Sequence, residues 1–207
     1  MIRLALPKGR NLQTAVEAFR AAGRPIAELE AGDRRLRFEA RAGELEVLLL
    51  KDWDVPLYVE YGIADVGVVG SDVLEEVGGD LLVPSRFLEG RSRMSLIGRT
   101  ELPRPGQQVR LASKYPRTAR AVVAGKSWGA EVLKLQGSVE LAPLLELAEV
   151  ALDIVQTGRT LQENDLRELE IVRQVAPVLV VNRAAWQAHR TTLNEWIRRF
   201  EEAGVSE

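Results

Sequence analysis

The stretch DIVQTGRTL, residues 153–161, decides the prediction of the fold. Its first three residues lean towards a strand, and LQENDLREL (161–169) carries apolar residues at helical spacing. A short polar turn, QTGRT (156–160), lies between them and has Gly158 at its centre. A strand, a tight loop and a helix in this order are typical of an α/β fold.

The same alternation runs through nearly the whole chain. The predicted strands, some of them running into loops, are 2–6, 35–40, 45–50, 65–70, 93–100, 109–116, 129–137 and a β-rich run at 169–182, and the second and third of these form a hairpin. The predicted helices are 11–23, 55–62, 71–77, 117–125, most of 139–151, and 183–203. The segments 61–74 and 150–161 share one plan of aspartate, apolar strand, small-residue loop and new helix. This repeat suggests two similar lobes, each with a loop at the carboxyl end of a strand, where open α/β sheets bind ligands.

The composition excludes several classes of protein. The chain has 207 residues, 30 acidic and 28 basic residues and a net charge of −2, so it has no overall basic field for nucleic acid. No segment approaches the ~18 apolar residues that span a bilayer, and the start, MIRLALPKGR, is unlike a secretory signal. There is no cysteine, which excludes disulfides, thiolate metal sites and a cysteine nucleophile. We therefore expect a cytoplasmic protein that binds neither membrane nor nucleic acid.

The single histidine, His189, is a weak candidate for catalysis. It shares a helical face with Trp186, Leu193, Ile197 and Phe200, which favours a packed or half-exposed histidine over a catalytic one. Without a second histidine or a cysteine, few nucleophile–base pairs remain. An enzyme with this composition works by positioning and electrostatics.

The turn QTGRT has the chemistry of a phosphate site. Gly158 lets the backbone approach a ligand, and the following helix offers unpaired N–H groups. Thr157 and Thr160 add hydroxyl donors, and Arg159 adds a charge. A plainer interpretation is that one threonine caps the helix while the glycine makes the turn. The residues of the turn alone leave both interpretations open.

Two acidic residues near the turn favour a sugar phosphate. Asp153 precedes the turn, and Glu140 lies in GSVELAP (137–143) after another strand. Carboxylates repel a phosphate, but they suit ribose hydroxyls or a water-mediated Mg²⁺. A phosphate site beside such carboxylates indicates a phosphorylated ribose.

Cations elsewhere could bind a polyphosphate. The candidates are Lys8 and Arg10, which flank Gly9 in LPKGR (6–10), together with Arg34 and with Lys51 at the end of the hairpin. A single loop of this kind is weak evidence, because lysine and arginine are common on surfaces.

The remaining cations near these segments carry less weight. For Arg35 and Arg37 we favour a solvated strand face, although they belong to the same group of hairpin arginines as Arg34. Lys114 and Tyr115, in SKYP (113–116), are further candidates of lower specificity.

Taken together, these segments resemble the ATP phosphoribosyltransferase family of histidine biosynthesis. The resemblance is carried by LPKGR (6–10), ADVGVVGSDVL (64–74), ASKYP (112–116), GSVELAP (137–143) and DIVQTGRTL (153–161), in order along the chain. The last segment matches the family's signature loop for 5-phosphoribosyl 1-pyrophosphate (PRPP). The chain ends soon after its last predicted helix, so it resembles the short form of the family, which lacks a carboxyl-terminal regulatory domain.

The resemblance implies an α/β, two-lobed fold similar to type II periplasmic binding proteins, with the active site in the inter-lobe cleft. The implied lobes are 1–90 with 182–207, and 91–181, the second binding PRPP. The implied reaction joins N1 of ATP to C1 of PRPP and releases pyrophosphate, with Mg²⁺ carried by the substrate and no direct protein ligand to the metal. It also implies a hetero-oligomer with a regulatory subunit similar to histidyl-tRNA synthetase, and inhibition by AMP.

The resemblance assigns roles to matching residues. The residues implied for PRPP are Glu140, Asp153, Thr157, Gly158, Arg159, Thr160 and Leu161. Those implied for ATP or pyrophosphate are Lys8, Gly9, Arg10, Arg34, Lys51, Ser71 and Asp72, of which Lys8, Arg10 and Arg34 are the catalytic candidates. Family members vary at the position of Arg159, so its N–H matters more than its side chain.

Two other interpretations remain beside the family one. A binding or sensing module without catalysis has the same two-lobed shape. A Rossmann-like phosphoribosyltransferase is the second, but its PRPP loop has two adjacent acids before the threonine–glycine turn, and Asp153 has no acidic neighbour.

Overall fold

The computed structural model describes residues 1–26, 29 and 35–207 of the chain. These residues divide into two compact units, of which the first combines Met1–Arg91 with Ala176–Glu207. The second is the continuous segment Ser92–Val175. Each unit contains its own sheet, so each can be described as a separate α/β layer structure.

Unit 1 is built on a six-stranded sheet. Its strands are β1 (Ile2–Lys8), β2 (Arg37–Ala40), β3 (Leu45–Lys51), β4 (Val66–Gly70), β5 (Leu82–Arg86) and β11 (Pro177–Val181), in the spatial order β2-β3-β1-β4-β11-β5. Its helices are α1 (Arg10–Ala21), α2 (Val55–Glu60), α3 (Ser71–Val77), α7 (Arg183–Ala188) and α8 (Arg190–Glu202). Strands β3, β1 and β4 are parallel, so their carboxyl ends meet at one edge.

Both faces of this sheet are buried. Leu4 and Leu6 belong to a cluster on one face with Phe19 of α1 and with Trp196 and Phe200 of α8. The rings of Trp196 and Phe200 meet Phe19 edge to face, with centroids 5.3 and 5.2 Å away. A separate cluster includes Ala5 and the apolar side of α2. Alternate residues of one strand therefore pack on opposite sides, as in sheets covered by helices on both faces.

Gly67 on β4 lets α2 approach this sheet closely. A Cβ at Gly67 would lie 2.8 Å from Val55 Cγ1 and 2.9 Å from Val59 Cγ2 of α2. Both valines are completely buried. A side chain at position 67 would therefore force α2 away from the sheet.

Unit 2 is built on a five-stranded sheet. Its strands are β6 (Ser92–Gly98), β7 (Gln108–Ser113), β8 (Gly129–Lys134), β9 (Val150–Val155) and β10 (Arg167–Val175), in the spatial order β10-β6-β9-β7-β8. Its helices are α4 (Pro116–Lys126), α5 (Leu141–Leu144) and α6 (Arg159–Glu163). Strands β8, β7 and β9 are parallel to one another, and β6 runs antiparallel between β9 and β10.

Two of the predicted helices are shorter than expected. Of 139–151, only Leu141–Leu144 is helical, because the backbone turns left-handed at Glu146 (φ 60°) and then enters β9. The helix predicted at 161–169 is α6, which ends at Glu163 before a left-handed turn at Asp165 (φ 53°). From Arg167 the chain is already in β10, so apolar spacing at 161–169 overstated the helix.

The β-rich run predicted at 169–182 is two strands in two different sheets. The strand β10 pairs with β6 in unit 2, whereas β11 pairs with β4 and β5 in unit 1. The boundary between the two compact units therefore falls at Ala176, before β11, whereas the lobe that the resemblance implies extends to residue 181. The hydrophobic pattern alone does not show that the chain leaves the sheet of unit 2 and enters the sheet of unit 1 at this point.

Two smaller differences from the prediction concern β5 and the last helix. Strand β5 was not predicted, and the predicted last helix is two helices separated at His189 (φ −119°). Asn182 caps the first of them through hydrogen bonds from the N–H groups of Ala184 and Ala185. Among the described residues, no helix is both long and apolar enough to cross a membrane.

Candidate active site

The turn singled out in the sequence follows β9 at the carboxyl edge of the unit 2 sheet. We call residues 156–160 the Gly158 loop. Gly158 adopts a left-handed conformation (φ 77°, ψ 2°) that glycine favours. A Cβ there would have no heavy atom closer than 3.9 Å, so the conformation and not crowding calls for glycine. Thr157, Arg159 and Thr160 are exposed around it.

The hydrogen-bond donors that this loop offers to a ligand are its side chains and its own N–H groups. The amino-terminal end of α6 contributes little. The helix α6 has five residues, too few for a strong dipole, which corrects the expectation of a long helix behind the loop. Thr157 Oγ1 accepts a weak 3.4 Å hydrogen bond from Arg159 N. The Arg159 guanidinium pairs with Glu163 at 2.7 Å. Leu161 is buried and anchors the loop in the core.

The neighbouring acidic residue Asp153 is held in an ion pair. Because β7 and β9 are parallel neighbours, with Ser113 opposite Leu152, the next residues along lie side by side. Lys114 Nζ is 3.4 Å from Asp153 Oδ1, which also accepts a 2.8 Å hydrogen bond from Ile154 N. Burial raises the pKa of the Asp153 carboxyl, the Lys114 charge partly offsets this, and the Glu140 charge adds to it.

The charge of Glu140 contributes to the raised pKa of Asp153, as expected for two carboxylates in the same part of unit 2. Glu140 is half-buried and precedes α5. The two carboxylates and the Lys114 ammonium thus lie near the Gly158 loop in unit 2. Such a group can accept hydrogen bonds from a pair of hydroxyls while a cation limits the repulsion.

The sequence did not predict a hydrogen-bonded group of side chains, Arg93, Glu168 and Ser95, that supports the Gly158 loop. Arg93 of β6 donates to the carbonyl of Gln156 at 3.1 Å and makes two 2.6 Å hydrogen bonds to the Glu168 carboxylate on β10. Ser95, fully buried, donates to Glu168 at 3.1 Å. The hydrogen bond from Arg93 holds the pKa of Glu168 below its ordinary value. No motif marks these residues, because strands β6 and β10 become neighbours only in the fold.

The predicted cations of unit 1 meet at the carboxyl edge of its sheet. Lys8 and Lys51 end β1 and β3 and are opposite each other in the parallel register. Gly9 (φ 109°) turns the chain into α1, which begins with Arg10. Lys8, Arg10 and Lys51 are exposed and, within the part of the chain that the structure describes, have no ion-pair partner. Arg34 lies outside the described residues.

Two other predicted residues, Ser71 and Asp72, are turned into the protein. Their exposed fractions are 5% and 3%. Ser71 Oγ accepts a 3.3 Å hydrogen bond from Ala176 N. The Asp72 carboxylate lies against Gly70, where a Cβ would come within 2.2 Å of Asp72 Oδ1. These side chains hold the start of α3 in place and offer little surface to a ligand.

His189 lies away from the cations of unit 1. It lines a pocket of about 340 Å³ beside Ile2 and Leu45, which begin β1 and β3. This is the opposite edge of the unit 1 sheet from Lys8 and Lys51.

Arg37 on β2 is exposed and pairs with Glu46, and the guanidinium of Arg35 lies 4.7 Å from the centre of the Phe38 ring. Among the described residues, no group of three or more histidine, aspartate or glutamate side chains could hold a metal ion.

Solved structures with a similar fold support the predicted fold class. The ATP phosphoribosyl transferase (HisG:HisZ) complex from Thermotoga maritima matches with a TM-score of 0.81 at 30% identity, over 98% of both chains. The periplasmic aliphatic sulphonate binding protein SsuA from Escherichia coli matches with a TM-score of 0.63 at 12% identity, over 98% of this chain and 72% of that one. The prediction of a two-lobed fold similar to periplasmic binding proteins is confirmed. The second likeness concerns the fold alone and gives no support to a binding module without catalysis.

Sequence comparisons identify the family. The family model described as ATP phosphoribosyltransferase matches residues 51–202. The ATP phosphoribosyltransferase of Thermus thermophilus is 40% identical over 205 residues, covering 99% of this chain and 98% of that one. That of Citrifermentans bemidjiense is 37% identical over 206 residues, covering 97% of each. The chain belongs to the ATP phosphoribosyltransferase family.

Proposed function

We propose that the Gly158 loop, with Asp153 and Glu140, binds the phosphorylated ribose of PRPP for the reaction of this family. That reaction transfers the 5-phosphoribosyl group of PRPP to N1 of ATP and releases pyrophosphate, as the first step of histidine biosynthesis. The observation that carries the proposal is the loop with left-handed Gly158 directly beyond Asp153 on β9.

In this proposal the loop and the carboxylates have separate roles. Loop N–H groups and the hydroxyls of Thr157 and Thr160 bind the 5-phosphate, and glycine lets the phosphate approach the backbone. Asp153 and Glu140 accept hydrogen bonds from the ribose hydroxyls. Arg159 contributes its N–H more than its guanidinium, which pairs with Glu163, and Leu161 holds the loop to the core.

The chemistry requires stabilisation of a leaving group. N1 of adenine already has a lone pair, so no general base is needed to activate it. The barrier lies in breaking the C1–O bond of PRPP, which places negative charge on pyrophosphate. Lys8, Arg10 and Lys51, exposed at one sheet edge, supply cations for the pyrophosphate or the ATP phosphates. We assign Arg34 the same role from sequence, and Gly9 the turn that presents Arg10.

Mg²⁺ enters this proposal as part of the PRPP substrate, bound to its pyrophosphate. The carboxylates near the loop suit this arrangement, because Asp153 is already paired with Lys114 at 3.4 Å and is a poor direct ligand. The buried side chains of Ser71 and Asp72 are left out of the binding set.

The proposal includes a regulatory partner. The similar structure from Thermotoga maritima is a complex of HisG with HisZ. We assign this chain the catalytic role in a hetero-oligomer with a HisZ-like subunit similar to histidyl-tRNA synthetase. AMP, which shares the adenine nucleotide of ATP but cannot supply its full phosphate chain, is the expected competitive inhibitor.

Product analysis tests this proposal. Incubation with ATP, PRPP and Mg²⁺, with and without the HisZ-like subunit, is expected to yield N1-(5-phosphoribosyl)-ATP and one pyrophosphate for each product molecule. Mass spectrometry of the nucleotide identifies the product. An unmodified ATP pool with both subunits present would refute the assignment.

A further inference from the structure

The carbonyl of Gln156, the first residue of the Gly158 loop, has a fixed direction. It accepts a 3.1 Å hydrogen bond from Arg93 Nη1. In a planar trans peptide the C=O and the next N–H point in opposite directions. The contact with Arg93 therefore turns the N–H of Thr157 to the opposite side of the loop. A carbonyl directed at a phosphate would repel it, whereas an N–H attracts it.

Arg93 is itself held by two further strands. In register it lies opposite Val155, the last residue of β9 before the loop. Its Nε and Nη2 each donate to Glu168 at 2.6 Å, a side-on pair that fixes the plane of the guanidinium. Ser95 donates to the same carboxylate from inside the sheet. The side chains of Arg93 and Glu168 are 28% and 19% exposed, so the bonds between them are partly shielded from water, whereas the bond from Arg93 to the Gln156 carbonyl is exposed.

We propose that Arg93 and Glu168 are positioning residues that hold the Gly158 loop in its phosphate-binding conformation. This inference rests on the proposed function. Arg93 acts through the peptide between Gln156 and Thr157 and not by touching substrate. Its effect is therefore specific to the ligand group that this loop binds, the 5-phosphate of PRPP.

The same unit contains a matched control pair at the other edge of the sheet. Arg110, on β7, donates to Glu149 at 2.7 Å and to the carbonyl of Glu146 at 3.2 Å. This pair has the same chemistry, an arginine joined to a glutamate and to a backbone carbonyl. It lies at the amino-terminal side of β9, away from the Gly158 loop.

The test uses Arg93→Lys, Glu168→Gln and Arg110→Lys. Lysine keeps the charge but has one ammonium where arginine makes three bonds, and glutamine keeps the shape of glutamate without its charge. Titration calorimetry measures Kd for Mg²⁺–PRPP, ribose 5-phosphate and magnesium pyrophosphate. Thermal melting shows whether each variant is folded. If Arg93→Lys does not fold, Glu168→Gln tests the same inference in its place.

The expected result is selective. Arg93→Lys and Glu168→Gln weaken PRPP and ribose 5-phosphate about tenfold and pyrophosphate less than about twofold, as for loss of one charge-assisted hydrogen bond. Arg110→Lys changes none of the three. Equal weakening of all three ligands, an equal effect of Arg110→Lys, or unchanged PRPP affinity would overturn the inference. If the wild-type chain does not bind PRPP even with the HisZ-like subunit present, the proposed function fails first, and that result is obtained before any variant is made.

Discussion

The replacement of Gly158 by alanine isolates the contribution of backbone conformation to PRPP binding. Gly158 has φ 77°, and an alanine in this region costs about 1–2 kcal/mol more than glycine. The added methyl has no neighbour closer than 3.9 Å, so steric overlap adds nothing. Because the surrounding loop residues are exposed, the free loop can relax and the cost appears in binding. We therefore expect Kd for PRPP to rise roughly 5- to 30-fold, with little change in Tm.

Two further variants separate conformation from side-chain size. Gly158→Asn is larger than alanine but tolerates the left-handed region better, so its PRPP affinity is expected within about threefold of wild type. Gly106→Ala, also at positive φ (80°) with nothing within 4 Å, has the same backbone cost in unit 2 outside the loop. Calorimetry should show no change in PRPP affinity for it. Wild-type affinity in Gly158→Ala, or a greater loss in the asparagine variant, would refute the reasoning.

Three other predictions concern catalysis, electrostatics and packing. Arg10→Ala is expected to lower kcat about a hundredfold, the effect of about 3 kcal/mol, and to change PRPP affinity less; steady-state kinetics with a change in PRPP affinity alone would contradict this. Asp153 has a raised pKa, so its ionisation opposes folding as pH rises through that pKa. Asp153→Asn is therefore expected to keep or raise Tm at pH 7 while losing most activity, and a Tm that falls at pH 7 but not at pH 3 would count against it. Gly67→Ala, within 3 Å of two buried valines, is expected to lower the free energy of unfolding by about 1–3 kcal/mol, measured in urea, without an effect on PRPP affinity at 25 °C; unchanged stability would show that α2 yields freely.

The sequence predicted local units well and connections between sheets less well. The strand, loop and helix order at 153–161 is present, because each step there has strong local signals in apolar pattern and glycine. The run at 169–182 did not reveal its division, because Ala176 alone separates β10 from β11 and only the pairing partners show that the two strands belong to different sheets. The last helix was merged across His189 for a similar reason, since both halves have helical spacing.

In the candidate site, too, the residues with a local sequence signal were predicted and those brought together only by strand pairing were not. Positions marked by motifs, such as Lys8 and Lys51, lie together at one edge, as expected for ends of parallel strands. Arg93 and Glu168 carried no signal, because they become neighbours only through the antiparallel pairing of β6 with β10. Ser71 follows a strand as expected, but its side chain turns inward to the backbone of Ala176, a contact that crosses more than a hundred residues of sequence.

The most direct test of the proposed reaction is the rate of pyrophosphate release from Mg²⁺–PRPP with each nucleotide in turn, in the presence of the HisZ-like subunit. We expect release with ATP and not with GTP, CTP or UTP. We also expect that a Thr157→Val/Thr160→Val double variant, shown by thermal melting to be folded, loses both this release and PRPP binding. Release that does not depend on ATP would contradict the proposed reaction, and a double variant that keeps wild-type turnover would contradict the role of the Gly158 loop.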